Sequence, residues 1–266
     1  MSLQRHGLLA AALMGTILLP GAAAAHFQSI YAETPVLTAP GDVPLRLIFW
    51  HPFENGHVMD MGVPTTFYMV HRGEKTDLSD RLSQISFQGA ENSAVAYAAS
   101  VPVKKAGDYV LVLDPAPYYE QTEDIYIEQI TKAYLNRAEM PTDWSDAQGL
   151  PTEIVPLNKP YAVVTGSTFS GQVLSAGQPV AGAEIEVEYI AALPDMATNT
   201  VEAPRAHPLP GGTLTAITDA NGTFTFGIPK AGWWGFAALG VGPEKSFEGK
   251  ELSQDAVIWV YAQDME

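Results

Sequence analysis

The chain has no cysteine among its 266 residues. That excludes disulfides, thiolate metal sites and thiol nucleophiles, so any exported form of it holds together through its cores and turns alone. Basic residues are scarce: 14 Lys and Arg stand against 30 Asp and Glu, a formal charge of -16. Such a balance repels phosphate backbones and argues against nucleic acid as a partner. Histidine is rarer still, with 6 in the chain. No apolar run after the first 25 residues is long enough to cross a bilayer as a helix. Enzyme signatures are missing too. There is no Gly-x-Ser-x-Gly elbow, no His-Glu-x-x-His helix and no Gly-Lys-Ser/Thr phosphate loop. Acidic pairs such as Glu123-Asp124 are expected by chance in so acidic a chain.

What is present begins with a leader. Arg5 and His6 precede an apolar stretch over residues 8–19, and Pro20, Gly21 and four alanines follow. This order of basic, apolar and small residues is that of a cleaved secretory signal over 1–25, and it implies a periplasmic or otherwise exported product. The rest of the chain is apolar enough for a core (47% hydrophobic, 17% charged) and rich in turn formers, with 20 Pro and 23 Gly.

Short runs rich in β-branched and aromatic residues, separated by Gly, Pro, Asn and Asp, predict strands near 43–50, 65–71, 81–88, 93–100 and 109–113. A second set is predicted near 168–175, 183–190, 213–218, 223–228, 233–239 and 256–262, with Asp219-Ala220-Asn221-Gly222 as a hairpin turn. Residues 123–139 read differently. Ile127, Ile130, Tyr134 and Leu135 are spaced for a helix, acids lie early, Lys132 and Arg137 late, and Pro141 follows. Residues 193–212 hold four prolines and read as a long loop. The expectation is an all-β chain. Two β-sandwich domains stand in tandem, 26–157 and 161–263, with one helix in or after the first and a Pro-rich linker between them.

Three of the five histidines beyond the leader fall within residues 26–57. Cleavage after Ala25 would make His26 the terminal residue, whose α-amine and imidazole chelate one metal ion together. Cleavage after Ala23 would instead place His26 third, an arrangement suited to square-planar Ni(II) or Cu(II). His51 and His57 flank a Gly-containing loop after a strand and can face one point. Met59 and Met61 share one face of an extended segment, where thioethers either bind soft Cu(I) or fill a core. Glu54 and Asp60 are oxygen ligands, partners to the histidines, or merely solvated. His71 and His207 read as surface residues. The candidate metal set is His26, His51, His57 and Met59.

The turn series Gly177-Gln178-Pro179-Val180-Ala181-Gly182-Ala183 and Thr218-Asp219-Ala220-Asn221-Gly222-Thr223-Phe224 resembles prealbumin-like or carboxypeptidase-regulatory-like sandwich modules. A longer ordered series is Ala25-His26, His51-Pro52-Phe53, Gly56-His57, Lys132-Ala133-Tyr134 and Gly149-Leu150-Pro151-Thr152-Glu153-Ile154-Val155-Pro156-Leu157. It resembles exported proteins described as periplasmic components of nickel or cobalt uptake systems, which share the 4198 domain of unknown function. That resemblance implies a non-enzymatic accessory protein that binds Ni2+ or Co2+ and hands it to a membrane metal permease. Met59 and Met61 depart from what a nickel site needs and keep copper open. A terminal His paired with a second His also occurs in copper polysaccharide oxygenases, which the rest of the sequence does not resemble. The other reading is an exported structural or adhesive module that binds protein or glycan, with Trp50, Tyr118, Tyr119, Trp233 and Trp234 forming an exposed apolar patch.

Overall fold

The computed structural model describes residues 26–54, 56–207 and 214–265. The expected leader over 1–25 and the end of the Pro-rich loop, from residue 208, lie outside them. The first half supplies strands β1 (Phe27–Tyr31), β2 (Gly41–Trp50), β3 (Val58–Met59), β4 (Thr66–His71), β5 (Glu74–Asp77), β6 (Ser83–Gln88) and β7 (Ser93–Val103). It continues with β8 (Gly107–Asp114), β9 (Tyr118–Glu120) and β10 (Ile125–Arg137). The second half supplies β11 (Thr152–Pro156), β12 (Thr168–Ser175), β13 (Gln178–Pro179), β14 (Glu184–Tyr189), β15 (Leu214–Ile217), β16 (Thr223–Gly227), β17 (Gly232–Ala238) and β18 (Lys250–Gln263). The only helical element among the described residues is a single 3-10 turn, Ser79–Arg81.

The fold is all-β, built as sandwiches on a shared layer. One sheet runs β1-β2-β7-β6, with β3 on β2. A long central sheet runs β15-β14-β17-β18-β10-β8-β4-β5. A third sheet holds β11, β12, β13 and β16. Alternation along the central strands sorts their side chains into two cores. On β8, Tyr109, Leu111 and Leu113 join Phe27, Leu45, Trp50 and Phe87 against the first sheet. Val110 and Val112 join Ile154, Phe169, Val173 and Phe224 against the third. On β18, Val257 and Trp259 face the first core, while Ala256, Ile258 and Val260 face the second. Each core therefore packs on an opposite face of one sheet.

The helix expected over 123–139 is instead strand β10. It lies in the interior of the central sheet, antiparallel to β8 and parallel to β18, with Tyr126 opposite Leu252 and Lys132 opposite Ile258. Residues 131–136 are buried on both faces, so no period-2 alternation survives to mark a strand. Its β-branched and aromatic content was the better guide.

The Asp219–Gly222 turn forms as expected. The Asp219 carboxylate accepts the Asn221 and Thr223 amides at 2.8 and 2.9 Å, and Gly222 takes φ 71°. A Cβ there would lie 2.8 Å from the Val180 nitrogen. The turn is no hairpin, however: β15 belongs to the central sheet and β16 to the third, so it is a corner between layers. The Pro-rich loop is more ordered than expected. Its residues 194–201 extend the first sheet, and Asn199 accepts a bond from Arg46 Nε at 2.7 Å.

Candidate metal-binding site

The site follows from strand register. β1 and β2 pair antiparallel with Phe27 opposite Trp50. Continuing by one residue sets His26 opposite His51. β2 and β3 pair with Trp50 opposite Val58, and the next step is closed by the His51 amide donating to the His57 carbonyl at 3.1 Å. The three histidines thus stand level across three neighbouring strand ends. Direct opposition puts side chains on one face of a sheet.

The first two meet. The His26 and His51 rings lie 4.7 Å apart, centroid to centroid, nearly perpendicular. His26 Nε2 lies 3.2 Å from an oxygen of Glu120 on β9, and its ring also contacts Phe49 and Tyr118. His51 is buried, and its Nε2 has no hydrogen-bond partner. An imidazole in that position resists protonation. Burial, then the nearby His26 and His57, push its pKa down to about 4, against a smaller opposing effect of Glu120. His51 is therefore neutral, with a lone pair to offer, across the physiological range. Burial alone would raise Glu120, but the Thr122 hydroxyl and amide and His26 outweigh it and hold the carboxyl below its ordinary value.

His57 is exposed at the rim. Met59 stands one ladder step further in, opposite Phe49, and packs into the first core. Met61 is also buried, its sulfur accepting a bond from Gln28 Nε2 at 3.5 Å. Asp60 accepts the Val95 amide at 2.7 Å, a structural bond, while Glu54 is exposed. His207 is exposed as expected. His71 is not a plain surface residue: it stacks on Tyr109 at 4.2 Å, and its Nδ1 is 2.8 Å from the Asp108 carbonyl. Glu120 is the member of the site that sequence reading missed. It lies about 94 residues from His26 in the chain, in a three-residue strand, and nothing in its spacing marks it.

Two devices fix the loop that carries His51 and His57. The buried Glu188 carboxylate accepts the Phe53 amide at 2.8 Å. Asn92 bonds both the amide and the carbonyl of Val58 at 2.8 Å, as a neighbouring strand would. On its other flank His26 borders a cavity lined by Glu123, Gln129, Glu186 and Asp255. Burial pushes Glu186 up to about 7 and Asp255 to about 6.

Among the described residues no three His, Asp or Glu side chains are already gathered as a metal cage. The donors meet only in pairs, the His26 ring with the His51 ring and His26 Nε2 with the Glu120 carboxylate. That set fits a borderline divalent ion such as Ni2+, Co2+ or Cu2+, and one buried ring nitrogen in it lacks a partner. The five aromatics expected as an exposed patch do not form one: Trp50, Trp233 and Trp234 are buried, and Tyr118 and Tyr119 are half-buried.

Fold and site together define an all-β protein with a histidine-bearing strand edge. The family described as Domain of unknown function (DUF4198) matches residues 23–242, and the chain belongs to that family. A comparison with curated proteins finds no match. Among solved structures, the D0-D1 domain of intimin is 15% identical over 88% of this chain and 97% of its own, with a TM-score of 0.24. The Yersinia pseudotuberculosis adhesin InvE is 12% identical over 90% of this chain and 61% of its own, with a TM-score of 0.22. At such TM-scores neither likeness bears on function.

Proposed function

We propose that this chain is an exported accessory protein that binds a divalent transition-metal ion, Ni2+ or Co2+, at the His26–His51 strand end and presents it to a membrane metal permease. The observation that supports the reading is the cross-strand imidazole pair, with a buried, unpartnered nitrogen on His51 and Glu120 against His26. The metal is cargo. His51 gives it a neutral ring nitrogen. Export cleavage after Ala25 adds the α-amine, and a chelate with that amine uses Nδ1 of His26, while Glu120 on Nε2 orients the ring as carboxylates do for metal-bound histidines. His57, exposed at the rim, is a fourth nitrogen within reach of an incoming ion. Met59 serves the core. Copper would bind such nitrogens more tightly than nickel or cobalt, so selectivity in this reading comes from supply and geometry.

The test starts with mass spectrometry of the N-terminus of the exported protein. Ni2+, Co2+ and Cu2+ are then titrated calorimetrically into wild type, His26→Ala and His51→Ala. The expected result is one ion per chain, with affinity reduced at least about tenfold in each variant. Equal affinity in all three proteins would sink the site.

A further inference from the structure

β1 is the outer strand of its sheet, bonded to β2 on one edge only. Its other edge should present unpaired backbone groups, which cannot be left buried without partners. Side chains of the central sheet take the place of the missing strand. Gln129 on β10, 3% exposed, is the chief of these. Its Oε1 accepts the Gln28 amide at 2.7 Å, and its Nε2 donates to the His26 carbonyl at 2.8 Å. A carboxamide carries one acceptor and donors in a plane, as a peptide group does, so Gln129 imitates one residue of a paired strand. Trp259 Nε1 adds a further bond to this edge, donating to the Gln28 carbonyl at 2.8 Å. Gln129 is fixed in turn by Asp255, whose Oδ2 accepts its Nε2 at 3.2 Å. The other Asp255 oxygen is held by the Gly240 amide at 2.7 Å and the Ser253 hydroxyl at 2.6 Å.

We infer that Gln129, braced by Asp255, is a positioning residue for the metal site: it fixes the His26 carbonyl and so sets the His26 ring against His51. This rests on the metal reading for its purpose and on the backbone bonds for its mechanism. The carbonyl it holds is one bond from the Cα that carries both the His26 nitrogen and its ring. Rotation about that residue is the freedom a chelate must lose, and losing it before the ion arrives favours binding. Core packing alone gives no reason for an amide here, since Leu or Met would fill the same volume.

The experiment uses the full chain recovered after export, as wild type, Gln129→Met and Gln129→Glu. Gln129→Met keeps the bulk and loses both bonds. Gln129→Glu keeps the acceptor for Gln28 and loses the donor for His26, and it serves if the Met variant does not fold. In metal-free protein, a nuclear Overhauser contact between the His26 and His51 rings is expected in wild type and absent in either variant. Affinity for Co2+ and Ni2+ should fall about tenfold or more, as when an outer-shell partner is lost. Adding His26→Ala to the Gln129 variant should cost little further, because both changes disable one chelate. A ring contact retained in the variants, or affinity within about twofold of wild type, overturns the positioning role. If wild type binds neither ion while the ring contact still depends on Gln129, the metal reading falls and the positioning of His26 stands.

Discussion

At the residue scale, His51 sets two demands against each other. A buried ring nitrogen without a partner costs about 1–3 kcal/mol. Its pKa of about 4, against 6.5 for an unhindered imidazole, adds a pH-dependent cost. The folded state refuses a proton that the unfolded chain accepts between those values. Stability from this residue is therefore intact above about pH 6.5 and is lost as pH falls toward 4. Asp114 and Asp255, raised to about 6, and Glu186, raised to about 7, titrate in the same window with the opposite sign. Their contribution is full below the ordinary carboxyl pKa and is lost as pH rises through 6 to 7. Comparing wild type with His51→Leu cancels those acids. The variant should melt no lower than metal-free wild type at pH 7.5 and progressively higher relative to it toward pH 4.5, while losing the proposed metal response. Thermal melts across that range check the trend. A variant less stable than wild type at pH 5 would mean that the imidazole serves the core.

At the element scale, β10 shows what sequence conveyed and what it hid. The strands on either side of it, β8 and β18, are also covered on both faces over most of their length, but their continuous runs of Val, Leu, Ile and aromatic residues marked them as strands. Its own pattern did not, because its polar residues are buried with partners. Gln129 holds β1, Thr131 donates to the Gln129 carbonyl, Lys132 meets Glu153 at 2.6 Å, and Asn136 meets Asp108 at 2.6 Å. Polar residues at buried positions erase the period-2 signal and leave a spacing that mimics a helix. His26 and His51 were legible because they flank strands that pair. Glu120 was not, since its nearness depends on the β9–β10 hairpin. The Lys132–Glu153 pair joins β10 to β11 inside the second core, and Glu153 also accepts the Gln148 and Gly149 amides at 2.9 Å. Burial pushes the Lys132 ammonium down, while Glu153 holds it back up. Lys132→Met strands a carboxylate in that core and should cost about 3–5 kcal/mol. Adding Glu153→Gln should recover part of the loss. Chemical denaturation of the single and double variants measures both, and a single variant within about 1 kcal/mol of wild type would show that water reaches the pair.

At the scale of the whole molecule, the central sheet decides how the chain folds. Sequence reading placed the domain boundary between residues 157 and 161, at the end of a linker over 150–160 that holds three prolines. Structurally, β18 carries side chains for both cores and pairs over Leu252–Ile258 with β10, from the other side of that boundary. A fragment of residues 158–266 would expose Trp233, Val257 and Trp259 on one face of β17 and β18, and an unpaired parallel edge on β18 besides. Losing the cover of even one such aromatic side chain costs about 3–5 kcal/mol, comparable with the stability of a small domain. The fragment should therefore be aggregated or molten, and the full chain should unfold in one transition. Calorimetry of the full chain would then give equal calorimetric and van't Hoff enthalpies. Two resolved transitions, with a soluble and cooperatively folded fragment, would make the halves independent. The consequence for the site is direct. The His26 carbonyl is held by Gln129, which Asp255 braces from the second half, so loss of that half should abolish the proposed metal binding although every proposed ligand lies in the first.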